Sequence, residues 1–313
     1  MRRLPRAPLI VVAALLCLVA GRASAQDFPL RVTDDTGATV TLKAPPVRII
    51  SLTLPSDEIL LSMIDPKRIV AVTDLSVDPS VSNVTREAAS IPNKLDMNVE
   101  KVLSLSPDLV LVATWSDAGA VAQLREAGLP VYVMASGLTI ASIEQKIQRL
   151  AVLCGDAEAG HRMVARMEQR LQAVAGRVAT VAASKRPRVI DYGSWGGAMG
   201  RGSAWDEMLQ RAGLVDGVAD LKADAWGQVP LSKEELVALD PDILVLPGWV
   251  YHNPSGAQAF YRLVTQDPAL KGLAAVKAGR VYQMPENLQT ATSQFIVDAV
   301  EWLARTAYPQ LFR

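Results

Sequence analysis

Short apolar runs and amphipathic stretches alternate along most of this chain. In the first half, Val47–Leu52, Ile69–Thr73, Leu109–Thr114 and Pro130–Met134 each predict a short buried strand. In the second half the same reading falls on Arg188–Tyr192, Asp242–Leu246 and Arg280–Met284. Helical stretches separate them. Asp57–Ile64 follows Ser56 as a cap, and Ala118–Ala127 is closed by Gly128. Ala204–Ala212, Lys233–Leu239, Gly256–Val264 and Ser293–Ala307 complete the set. Strands alternating with helices predict an α/β fold with mostly parallel sheets.

Two segments depart from that alternation. Leu30–Val32 and Ala38–Leu42 flank Asp34-Asp35-Thr36-Gly37, the turn chemistry of a hairpin, and Pro45-Pro46 closes the unit. Between the halves, Ile140, Ile143, Ile147, Leu150 and Leu153 recur at helical spacing. Met163, Met167, Leu171 and Val174 resume the pattern after Gly155-Asp156. This predicts one long α-helix, or two, joining two lobes. The expected division is an N-terminal lobe with its leading hairpin over 26–138, a helical linker over 139–184 and a C-terminal lobe over 185–313.

The first 25 residues read differently. A basic start with Arg2, Arg3 and Arg6, an apolar run from Leu9 to Ala20 and the small residues Ala23-Ser24-Ala25 predict a secretory signal peptide cut after Ala25. The run is too short for a membrane span of about 20 residues. Leu16 before Cys17 lacks the small side chain that a lipid-anchor site needs. The whole chain balances 32 Lys and Arg against 32 Asp and Glu, and cleavage removes four arginines, so the exported product is mildly acidic. That balance argues against nucleic-acid binding through bulk charge. Two cysteines and two histidines exclude a disulfide scaffold and any site built from several His ligands, so no metal site or cofactor is expected.

An internal repeat bears on function. Glu100–Trp115 aligns without gaps to Glu234–Trp249, 134 residues on, with Glu, Leu, Pro, Asp and Trp coinciding. In each copy a helix precedes its strand across a Pro-Asp turn. Glu and Trp therefore share the C-terminal strand edge of their lobe, where ligands bind in open α/β sheets. Two such edges facing each other make a cleft. Glu100 and Glu234 also suit the first turn of a helix, behind the caps Asn98 and Ser232. Trp115 and Trp249 suit a core as well as a cleft. Tyr192 and Trp195 in a glycine-rich loop, Trp226 before the second Glu helix, and Tyr251 and His252 after Trp249 add aromatic groups to strand exits. Broad aromatic surfaces fit a large, partly apolar ligand.

The chain resembles class III periplasmic substrate-binding proteins of ABC importers for cobalamin, haem and ferric siderophores. The resemblance rests on Thr33–Leu42, on Pro46–Leu60, on Asn98–Val110 and on the Glu234 copy. It implies two α/β lobes joined by a long helix, with the ligand between them. It implies a monomer in the periplasm that delivers a small metal chelate to a permease in the inner membrane, with Glu100 and Glu234 docking to permease arginines. Any iron or cobalt would belong to the cargo. Among aromatic and cationic groups, Tyr251 or His252 could meet a haem iron, and Lys94, Arg86 and Arg201 could meet an acidic chelate. Pro92–Met97 lacks the aromatic residue that often stands there in the cobalamin branch. Two other classes compete: an exported sensor or scavenger with no use for Glu100 and Glu234, and an exported hydrolase with Ser194 as nucleophile and His252 as base.

Overall fold

The computed structural model of the chain describes residues 27–250, 253 and 255–313. The predicted leader, Tyr251 and His252 lie outside them. The leading hairpin pairs β1 (Leu30–Thr33) with β2 (Thr39–Leu42), antiparallel. Asp34 organises its turn by accepting from the N–H groups of Thr36 and Ala38. The first lobe then forms a parallel sheet from β3 (Ile49–Ser51), β4 (Ile69–Thr73), β5 (Asn93–Leu95), β6 (Leu109–Ala113) and β7 (Val131–Met134), in the order β5-β4-β3-β6-β7. The second lobe contributes β8 (Arg188–Asp191), β9 (Gly197–Met199), β10 (Val215–Asp216), β11 (Gln228–Pro230), β12 (Ile243–Pro247) and β13 (Val281–Met284). Four of these make a parallel sheet in the order β10-β8-β12-β13, and β9 pairs with β11 in a small antiparallel ribbon.

Strand alternation sorts side chains into three apolar clusters. Ile50, Val110, Val112, Val131 and Val133 form one face of the first sheet. Ile190, Leu244, Leu246 and Val281 form one face of the second. The opposite faces merge. Ile49, Leu109, Leu111, Tyr132 and Met134 of the first sheet share one cluster with Val189, Ile243, Val245 and Met284 of the second. The joining helices supply the continuity through Ile143, Ile147, Leu150, Met163, Met167 and Leu171. The linker is two helices rather than one, Ile140–Leu153 and Ala157–Val178. Gly155 adopts a positive φ of 73° and Asp156 caps the second helix through its side chain, so the break falls on the residues that favour it.

Polar contacts tie the lobes at two further places. Glu207, in the second lobe, accepts the backbone N–H of Ile140 at 2.7 Å, satisfying an open donor at the linker's start. Glu58 is buried in the first lobe and accepts from Asn83 N–H and Nδ2 and from Ser293 Oγ. Asn83 and Asn287 exchange hydrogen bonds, and Gln294 Nε2 donates to the Glu58 carbonyl. This network pins residues 287–294, which lead from β13 into the helix Ile296–Ala307, onto the first lobe.

The helix predicted to start at Asp57 spans Leu54–Leu61, with Thr53 as its cap and Pro55 in the first turn. Proline's fixed φ suits that position, so the helix begins earlier, and Ser56 lies inside it. Val47 and Arg48 stay out of β3 because Asp108 takes both of their N–H groups, each at 2.8 Å.

The sequence repeat is a repeat of local architecture. Each copy is a helix, Val99–Ser104 or Lys233–Leu239, followed by β6 or β12. Ser106 and Asp240, 134 residues apart, are the two non-glycine residues with positive φ among the described residues. An arginine closes each helix end: Arg48 donates to Leu105 and Ser106 carbonyls, Arg188 to that of Leu239. Asp108 and Asp242 accept the N–H groups of those same arginines. The Pro-Asp pair is thus a clamp that sets strand against neighbouring strand.

Truncating Glu58 to Ala strands buried donors of Asn83 and Ser293, at a cost of about 2–3 kcal/mol in urea unfolding. Burial outweighs these hydrogen bonds and raises the Glu58 carboxyl above its usual 4.5. The folded state therefore holds that proton more tightly than the unfolded chain, and its contribution to stability is lost as pH rises through the raised value. The isosteric Glu58→Gln variant should gain stability relative to the parent between pH 4 and pH 8. A constant difference over that range would refute the assignment.

Candidate ligand cleft

A cavity of about 490 Å³ opens at the C-terminal strand edge of the second sheet, within the size range of small-molecule sites. Its floor is Asp191 at the end of β8, with Pro247 and Trp249 at the end of β12. The glycine-rich loop Gly193–Trp195 and the start of the helix Ala204–Arg211, with Ser203 and Trp205, make one wall. Glu286, Gln289, Thr290 and Thr292 make another. Leu138, where the first lobe meets the linker, also lines it.

Trp195 is 53% exposed and lies over Gly193 and Gly197. A Cβ on either glycine would overlap the indole. The loop is closed by Gly193 N–H donating to the Gly197 carbonyl at 2.8 Å, with Gly196 at φ 80°. The glycines thus form a flat bed on which a large ring faces the cavity. Asp191 is buried and accepts the Met199 N–H at 2.9 Å, which anchors β9. Burial drives its carboxyl well above the usual aspartate range, and the nearby Asp216 adds to the effect. Burial raises Glu286 as well.

The structure brings Trp195 and Trp249 together in this cavity and places other predicted residues elsewhere. Tyr192 is 7% exposed, in the second lobe's core, with its ring 5.9 Å from that of Phe260. It immediately follows β8, and alternation turns it away from the cavity that Asp191 faces. Trp115 is 55% exposed beyond β6 and outside the cavity lining. Trp226 is 64% exposed and also outside it, beside Gly227, which abuts Ser203. Glu100 and Glu234 are exposed, each the second residue of its helix. Glu235 completes the capping box with Ser232, so Glu234 is not needed for the cap. Ser194 lines the cavity; the base that the sequence offers it, His252, lies outside the described residues.

Sequence reasoning passed over Trp205, Leu138, Glu286 and Gln289. Trp205 sits in an amphipathic helix and reads as core. It is 3% exposed, yet its Nε1 is buried at the cavity wall without a partner among the described residues, and so is Gln289 Oε1. Exposed apolar residues in strand exits are a usable signal. Leu75 and Val77 after β4, Trp115 after β6, Leu138 after β7 and Trp195 after β8 are all exposed, although large apolar groups ordinarily bury.

A family model described as periplasmic binding protein matches residues 49–288. The chain belongs to the periplasmic binding protein family. It is 26% identical over 292 residues to an uncharacterized ABC transporter substrate-binding lipoprotein, YvrC, of Bacillus subtilis, covering 91% of this chain and 88% of that one. It is 28% identical over 278 residues to a cobalamin-binding protein of Halobacterium salinarum, covering 88% and 73%. The molybdate-binding protein MolA of Haemophilus influenzae, solved with molybdate bound, superposes with a TM-score of 0.73 at 20% identity, over 90% of this chain and 92% of that one. The last likeness concerns the fold. The family comprises transport substrate-binding proteins, and a cavity at a strand edge beside the lobe junction fits a periplasmic binding protein. No helix among the described residues is long and apolar enough to cross a membrane.

The glycine bed has a direct test. Gly197→Ala should lift the Trp195 ring and raise the fraction of tryptophan fluorescence that acrylamide quenches. Trp195→Phe should lower that fraction. Equal quenching of Gly197→Ala and the parent would remove the bed from the description.

Proposed function

We propose that this protein captures a bulky metal chelate, an iron siderophore, haem or a corrinoid, between its lobes in the periplasm and delivers it to an ABC importer permease. The observation that carries this reading is the cavity where Trp195, Trp205 and Trp249 converge. Trp195 and Trp249 offer wide apolar faces with few rotatable bonds, which suits a large, rigid ligand, and the buried Trp205 brings its Nε1 to the wall. Export follows from the leader, with cleavage after Ala25. The metal is cargo, the protein acts without a cofactor or catalysis, and one copy serves one importer.

Delivery uses Glu100 and Glu234. Both are exposed, both stand in the first turn of repeat-related helices, and neither carboxylate forms a hydrogen bond or ion pair among the described residues. One carboxylate on each lobe suits a partner that spans both lobes and carries cationic groups. Such pairs govern orientation and encounter rate more than affinity. The shared core through the linker restricts lobe motion, so ligand capture involves a modest closure.

Two measurements separate capture from delivery. Trp249→Ala and Trp195→Ala should each weaken chelate binding at least tenfold, about 1.4 kcal/mol, by calorimetric titration. The double variant Glu100→Ala with Glu234→Ala should keep ligand affinity within twofold and abolish uptake in cells. Normal uptake by that variant would leave a ligand-binding protein without the proposed docking, as a sensor or scavenger would be.

A further inference from the structure

The charge of the described cleft lining is one-sided, although Lys146 stands behind it, donating to the Thr292 carbonyl at 3.4 Å. The described lining holds two ionisable side chains, Asp191 and Glu286, and both are acids. The cations that the sequence offered for an acidic chelate are engaged elsewhere. Lys94 donates to the Ile91 carbonyl. Arg86 pairs with Glu87 at 2.9 Å on the open surface. Arg201 donates to the Ala219 carbonyl at 3.1 Å and lies 3.6 Å from Asp220. None of the three lines the cavity. The strand-exit loops repeat the bias, with Asp74 and Asp78 after β4, Asp96 after β5 and Asp117 after β6.

The two carboxyls and one buried amide oxygen give the wall acceptor groups beside the hydroxyls of Ser194 and Thr292. The Asp191 and Glu286 carboxyls and the orphaned Gln289 Oε1 accept, against the single orphaned donor Trp205 Nε1. A buried acceptor without a donor costs about 1–3 kcal/mol. A ligand that brings N–H groups relieves this cost. A ligand carboxylate places a negative charge where burial already disfavours one. Discrimination of this kind works through repulsion as much as attraction.

Resting on the chelate-capture reading above, we propose that Asp191 and Glu286 are specificity-determining residues that select a chelate or corrinoid with an uncharged or cationic, N–H-bearing periphery and reject anionic ones. The apolar body of such a ligand rests on Trp195 and Trp249, and its amide or ammonium donors point at the two carboxyls. Oxyanions, ferric citrate and the propionates of haem fall outside the selected class.

Charge-varied pairs on one scaffold provide the test, by calorimetric titration of the purified mature protein. The first pair is cyanocobalamin and its monocarboxylate, in which one side-chain amide is hydrolysed. The second is ferrioxamine B, with a free ammonium, and its N-succinyl derivative. Ferric citrate and haemin complete the panel. The neutral or cationic member of at least one pair should bind at least tenfold tighter than its anionic counterpart. Asp191→Asn or Glu286→Gln should shrink that ratio to threefold or less, with thermal midpoints reporting that the variants fold. The ligand series needs no variant, so a misfolded one does not rescue the idea. Equal binding within the pairs, or preference for ferric citrate or haemin, would overturn the charge filter while leaving chelate capture intact. Binding of no chelate by the folded protein would overturn capture itself, and the filter with it.

Discussion

The apolar cluster that passes through the linker helices is the constraint on which the rest of this structure depends. One face of each sheet packs into it, and the helices Ile140–Leu153 and Ala157–Val178 fill the space between. Interiors are packed as densely as organic crystals, so sliding one lobe against the other would open voids along the whole seam. The opposite faces of the sheets have separate cores. Each lobe therefore keeps its own fold while sharing a rigid base. The cavity stands at the open end of that base, where strands stop and no apolar layer continues. Its position is a consequence of where the shared core ends.

The internal repeat separates what two lobes need from what a ligand needs. The positive φ at Ser106 and Asp240, the arginine caps of Arg48 and Arg188 and the Asp108 and Asp242 clamps recur because each lobe must solve the same turn. The aromatic residues that end the two copies do not share a fate. Trp249 lines the cavity and Trp115 stands outside it. A ligand has no reason to be two-fold symmetric, so selection on the site is free to diverge where selection on the turn is not. Similar placement of Glu100 and Glu234 follows from the same logic, since both sit on the repeated helices.

Much of the architecture was legible in the sequence because it follows from period and composition. Strands buried on both faces read as continuous apolar runs, and β4 spans Ile69–Thr73, as its run predicts. Helix ends marked by strong caps, such as Ser232 with Glu235, were equally readable. The losses have physical causes. β5, β9 and β11 have three residues each, too short for a period to show. Thr53 rather than Ser56 caps the first helix because Pro55 fits its first turn, and a proline there reads equally well as loop. For the site, strand exits identified the right edge but not the direction of each side chain. Tyr192 and Asp191 are neighbours, and alternation sends one into the core and the other onto the cavity floor. Trp205 was hidden by its helix, whose buried side carries both core and cavity residues.

The placement of Asp191 joins the fold to the chemistry of the cleft. Its Oδ1 holds the Met199 N–H and so fixes β9. Next to β9 is the loop whose glycines carry the Trp195 ring. One buried carboxyl thereby sets the position of an aromatic wall and the polar character of the floor beneath it. A hydrophobic residue at 191 would be cheaper to bury but would leave the Met199 N–H unsatisfied and the loop without its anchor. A basic residue would put a donor where the floor now offers carboxyl oxygens. The raised carboxyl is therefore a cost of building the cleft, and a donor-bearing ligand offsets part of that cost each time it binds.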